Sequence, residues 1–136
     1  MTATIRIAAA IILDDAGRTL LVRKQGTQAF MQAGGKIEGG EAPLDALRRE
    51  LHEELGLTLP ASGVDPVGRF EAPAANEPGH LVVAEIFRLQ LDQTDLHPAA
   101  EIAEAIWIDP AAPPAITLAP LTRDQILPLA ARLIQA

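Results

Sequence analysis

Leu44, Leu47, Leu51 and Leu55 recur at spacings of three and four, and this period constrains the fold more than any other feature of the chain. On a helix the four leucines line one side, so 43–55 is expected to be a helix resting on a core. Pro43 suits the first turn, where its missing N–H would have had no partner anyway, and Gly56 suits the left-handed stop. A helix with one apolar side needs a second layer to lie on. Strands are the candidates. Residues 4–13, TIRIAAAIIL, and 19–23, TLLVR, flank the turn sequence DDAG and read as a hairpin. Further strands are expected at 66–71 and at 80–90, with the loop APAANEPG between them, and at 104–108, EAIWI. The closing run LTRDQILPLAARLIQA reads as a helix, with Thr122 as N-cap, Gln125 completing a capping box, and Pro128 as a kink. Strands mixed with two helices, without strict alternation, predict an α+β domain: a mixed sheet with helices on its faces.

With 136 residues and a 49% hydrophobic share, one domain over 1–136 with a real core is expected. No apolar run is long enough to span a bilayer, and the first residues lack the layout of a signal peptide. Together with the absence of cysteine, this predicts a soluble chain with a cytoplasmic address and no membrane partner. The formal charge of −7 argues against binding a nucleic-acid duplex, which clustered Lys and Arg normally drive. It also repels a small phosphorylated ligand unless cations stand between the two.

Glu50, Glu53 and Glu54 leave the helix together at i, i+3 and i+4. Like charges at these spacings cost roughly 0.2–0.5 kcal/mol per pair, and the late acids sit at the negative end of the helix dipole. Arg48 and Arg49 cannot contact every carboxylate. Hard divalent cations could, since Mg²⁺ prefers carboxylate oxygens and bridges to phosphates. A solvated charged face is the competing reading, and helices of this composition often are just that. The preceding GGKIEGGE bears on the choice, because its four glycines let the backbone turn tightly and approach a ligand.

Counted from Gly35, the chain has Glu41, Arg49, Glu50, Leu51, Glu53, Glu54, Gly56 and Leu57 at the spacing Gly-x5-Glu-x7-Arg-Glu-U-x-Glu-Glu-x-Gly-U, with U apolar. Residues 35–57 thus resemble the Nudix box at every specified position. Seven exact and two apolar matches arise by chance on the order of once in 10⁸ starts, so the likeness is not accidental. The strand order and the late EIAEAIWID resemble a MutT-type Nudix domain more loosely. The resemblance implies an α/β/α sandwich around a mixed sheet. It also implies a hydrolase, using Mg²⁺ or Mn²⁺, that cleaves a nucleoside diphosphate linked to another group.

Carried over by position, the resemblance makes Glu50 and Glu54 metal ligands, Glu53 a further ligand or the general base, and the Gly34 carbonyl a backbone ligand. Glu41 and Arg49 would pair and brace the loop against the helix. Glu101, six residues before Trp107, matches a metal-binding or base-forming glutamate, with Glu104 competing. Ala33 stands where many relatives carry proline. His52, His80 and His97 form no zinc-like spacing and are assigned no role.

Outside the box, Arg23, Lys24 and Lys36 are candidate phosphate contacts, with exposed basic residues as the alternative. Phe30 is a candidate base-stacking ring or a core residue. Asp124, beside Arg123, is a candidate base contact. Pro73 keeps ADP-ribose among the possible substrates by its resemblance to relatives that cleave it. The short chain favours a small soluble nucleotide, with a (deoxy)nucleoside triphosphate or modified nucleotide leading, ADP-ribose or a nucleotide sugar next, and a non-catalytic nucleotide sensor as the alternative from another class. Monomer and homodimer both stay open.

Overall fold

The computed structural model describes residues 3–91 and 96–135; Ala136, the last residue of the expected closing helix, lies outside them. The spine is β1 (Ala3–Leu13), which runs parallel to β6 (His80–Gln90) along its whole length. On the far side of β6 lies β5 (Asp65–Pro73), antiparallel to it. β2 (Thr19–Lys24) pairs antiparallel with β7 (Ile102–Ile108), which starts two residues earlier than EAIWI suggested. One parallel pair among antiparallel ones makes this the mixed sheet expected from the sequence.

The expected hairpin closes only at its turn. β1 and β2 pair at Leu13 and Thr19 and then part, and the chain from Phe30 to Lys36 fills the gap. Its first half, β3 (Phe30–Met31), pairs with β2, and its second half, β4 (Ala33–Lys36), pairs with β1 from Ala10–Ala33 to Ile7–Lys36. The chain changes partner at Gln32. The first two glycines of GGKIEGGE therefore belong to a strand and not to the turn that composition suggested. At Gly34, with φ 150°, a Cβ would collide with the Ala8 carbonyl, so the close approach of β4 to β1 requires glycine there.

Alternation along β1 sends successive residues to opposite faces. Ala8, Ala10 and Ile12 pack with Leu47, Leu51 and Leu55 of α1 (Pro43–Leu55). Ala9, Ile11 and Leu13 pack with Leu121, Ile126 and Ala130 on the other face. The result is the α/β/α sandwich. The three α1 leucines are fully buried, each stabilising the fold by roughly 1.5–3 kcal/mol. The helix has the bounds read from its sequence, and Gly56 ends it in the left-handed region at φ 68°, its N–H donating to the His52 carbonyl at 3.1 Å.

The closing helix departs from expectation. Thr122–Ile126 winds as a wide π turn and continues into α2 (Leu127–Gln135). Thr122 is not an N-cap: it is fully buried, and its hydroxyl donates to Gln32 Oε1 at 2.8 Å. Gln125 reaches across to the Glu71 carbonyl instead of completing a capping box. Pro128 has no N–H for the Asp124 carbonyl, and the residues leading into it take the wide turn. Among the described residues no helix is long and apolar enough to cross a membrane.

Candidate active site

Glu54 lies seven residues after Leu47 and three after Leu51, which turns it toward the buried side of α1, deeper than Glu50 and Glu53. It is only 4% exposed, and its Oε1 has no hydrogen-bond partner among the described residues. Burial pushes its carboxyl up to about 7, and the charge of Glu50 adds to this, while Lys24 and a backbone hydrogen bond from Gly34 pull the other way. A desolvated, half-satisfied carboxylate is costly and seldom left without a purpose.

Glu50 stands beside it. Its Oε1 accepts from Arg49 Nη1 at 2.8 Å, and its carboxyl lies where a Cβ on Gly35 would be. Arg49 also forks onto Glu41, Nε to Oε2 at 2.9 Å and Nη2 to Oε1 at 2.8 Å, and donates to the Lys36 carbonyl at 3.1 Å. One guanidinium thus ties the end of β4, the loop before α1 and α1 itself together. The arrangement holds Glu41 down to about 2, first through the Arg49 hydrogen bonds and then through the Glu38 amide, and it raises Arg49. Glu53 is half exposed, 3.8 Å from Arg49.

Glu50, Glu53 and Glu54 share an open cleft with Lys24, Gly35, Lys36, Asn76, Glu77 and Glu101. Glu101 follows Ala100, a non-glycine residue at φ 53°, and its side chain is mostly exposed, 3.9 Å from Lys24 Nζ. Glu104 is instead paired with Arg23 at 2.9 Å, away from the cleft. Arg23 also donates from Nη1 to the Thr27 carbonyl at 2.7 Å and lies over the Phe30 ring. Arg23 does not line the cleft. Phe30 is a core residue, packed with Leu21, Ile108 and Leu127. Asp124 forms a surface ion pair with Arg123 at 2.8 Å and lines neither cavity described here. Of the candidate polar substrate contacts Arg23, Lys24, Lys36 and Asp124, Lys24 and Lys36 line the cleft and the other two do not.

A second cavity, a mainly apolar slot, opens beside the cleft and shares Lys24, Gly35, Lys36, Glu54, Asn76 and Glu77 with it. Ile5, Ile7, Met31, Val82, Leu121 and Pro73 supply apolar walls, and Gln32 and Thr122 supply polar groups. Sequence reasoning gave Gln32, Asn76 and Glu77 no role, and no local motif marks them. Thr122 had a signal, but for a cap.

Hard oxygen donors, an orphaned buried carboxylate oxygen and glycine backbone beside both suit a small divalent cation such as Mg²⁺ or Mn²⁺. Among the described residues no three acidic or histidine side chains converge on one point, and Arg49 supplies the positive charge facing Glu50.

A family model described as NUDIX domain matches residues 4–130. An 8-oxo-dGTP diphosphatase of Haemophilus influenzae is 37% identical over 73 residues, 51% of this chain and 54% of that protein. An RNA pyrophosphohydrolase of Halorhodospira halophila is 47% identical over 47 residues, 35% of this chain and 26% of that protein. The matched stretches therefore span about half or less of these relatives. Among solved structures, the MutT protein from Methanosarcina mazei Go1 has a TM-score of 0.77 at 21% identity, over 99% of this chain and 98% of that one, which shows a shared fold.

Proposed function

Because this chain belongs to the NUDIX domain family, we propose that it hydrolyses the pyrophosphate linkage of a nucleotide, with a (deoxy)nucleoside triphosphate or a modified form of one as substrate. The observation that carries this reading is Glu54, buried beside Glu50 in an acidic cleft, with one oxygen that has no partner among the described residues. Carboxylates so placed serve stability poorly, and they serve cation binding well.

Glu50, Glu54 and the Gly34 carbonyl would hold a divalent ion, with Glu53 and Glu101 as further carboxylates. When bound, such an ion neutralises phosphate oxygens and acidifies water. The chain's own contribution is positioning. Lys24 and Lys36 line both cavities and counter the charge of a polyphosphate. Water attacks a phosphorus atom, and the bond from that phosphorus to the bridging oxygen breaks. Glu53, half exposed at the cleft, accepts the proton of the attacking water, and the leaving phosphate carries the electron pair away. The Arg49–Glu41 fork keeps β4 and α1 in register while this happens. The name of the Haemophilus relative supports a triphosphate, oxidised purines included.

A panel of nucleoside triphosphates, oxidised triphosphates, ADP-ribose and nucleotide sugars, incubated with Mg²⁺ and assayed for phosphate and pyrophosphate, tests the proposal. Turnover of a triphosphate is expected. Turnover confined to ADP-ribose or a nucleotide sugar would move the substrate class, and tight nucleotide binding with no turnover would make the protein a sensor.

A further inference from the structure

Gln32 sits where the chain crosses from β2 to β1, and this leaves its side chain inside the fold at 6% exposure. Its Oε1 accepts the Thr122 hydroxyl at 2.8 Å, while its Nε2 is buried without a partner among the described residues. Both residues line the apolar slot, alongside Ile7, Val82 and Leu121. An amide donor left unpaired in such surroundings is costly, and folded proteins keep few of them. Thr122 also limits the remedy. A flipped amide would leave its hydroxyl hydrogen, in a fully buried residue, to find another acceptor.

Resting on the nucleotide reading above, we propose that Gln32 determines base specificity: its Nε2 donates to a carbonyl oxygen on the ring of a nucleotide seated in the slot. Thr122 is the positioning residue that keeps the donor edge turned toward the ligand. The slot and the acidic cleft share Lys24, Lys36 and Glu54, so a single ligand can place its ring in one and its phosphates in the other. A ring with an amine at the same place would meet Nε2 donor to donor. In a slot with mainly apolar walls water does not repair that mismatch, so carbonyl-bearing rings are favoured over their amino counterparts.

The test uses two pairs of nucleosides in which a ring carbonyl and its adjacent N–H are exchanged for an amine and a bare ring nitrogen, inosine against adenosine and uridine against cytidine, as triphosphates with imido groups in place of both bridging oxygens, with dissociation constants measured by calorimetry in Mg²⁺. The wild-type protein is expected to favour the carbonyl member by about tenfold or more in both pairs. Gln32→Met should bring the ratio to within about threefold, and Thr122→Val should lower it with Gln32 still present. General damage to the slot would weaken both members together and leave the ratio alone. Equal affinities, a preference for the amino member, binding of neither, or a ratio that survives Gln32→Met would overturn the proposal. Turnover of the ordinary triphosphates is followed in parallel. An intact ratio without hydrolysis would contradict the hydrolase reading and leave the role of Gln32 standing.

Discussion

The carboxyl group of Glu50 rests against Gly35, in the space that a Cβ on that glycine would fill. Gly35→Ala should therefore push the carboxylate aside while leaving the backbone undisturbed, since Gly35 has no positive φ. Hydrolysis should fall by about 100-fold, as expected for catalytic groups moved by about 1 Å, with little change in thermal midpoint. Gly34→Ala is the contrasting variant. There the clash is with the Ala8 carbonyl, in the backbone of β1, so stability should fall by roughly 1–3 kcal/mol or more. Paired thermal and kinetic measurements on the two variants check this division.

Glu54 makes stability depend on pH. Its carboxyl is raised from 4.5 to about 7 in the folded protein, so folding favours the neutral form. The contribution is complete below about pH 4.5 and is lost as pH rises through about 7, a decline of roughly 3 kcal/mol in metal-free protein. Urea midpoints in EDTA at pH 5 and pH 8 should show this fall. Glu54→Gln should flatten it and abolish most activity with the fold intact.

Arg49→Lys keeps the charge but removes the fork that reaches Glu41, Glu50 and the Lys36 carbonyl together. The partners are partly exposed, so the thermal midpoint should move little. Activity should drop by at least about tenfold, because β4 and α1 lose their common tie. A variant with full activity and a collapsed midpoint would reverse the roles assigned here.

Local signals account for the parts of this protein that were legible in advance. The leucine period, Pro43 and Gly56 all act within the helix itself, and α1 has the bounds they indicate. Strands β3 and β4 are short, and pairing with β2 and β1 holds them in place. Nothing within Phe30–Lys36 announces that. The spacing of Glu54 from Leu47 and Leu51 already placed it on the buried face, yet the acidic run reads at first as one solvated edge. Thr122 shows the reverse failure: a capping pattern was present, and a tertiary hydrogen bond to a residue ninety positions away prevailed. Arg23 and Asp124 read as candidate substrate contacts, and each has an ion-pair partner in the fold, Arg23 in the distant Glu104 and Asp124 in the adjacent Arg123.

Calorimetric titration of Mn²⁺ into the nucleotide-free protein, at pH values either side of 7, tests the central claim most directly. Saturable binding is predicted, with a proton released at pH 6 and almost none at pH 8.5, and both signals should be lost in Glu54→Gln. Absence of Mn²⁺ binding at millimolar concentration, or binding unaltered by Glu54→Gln, would contradict the account.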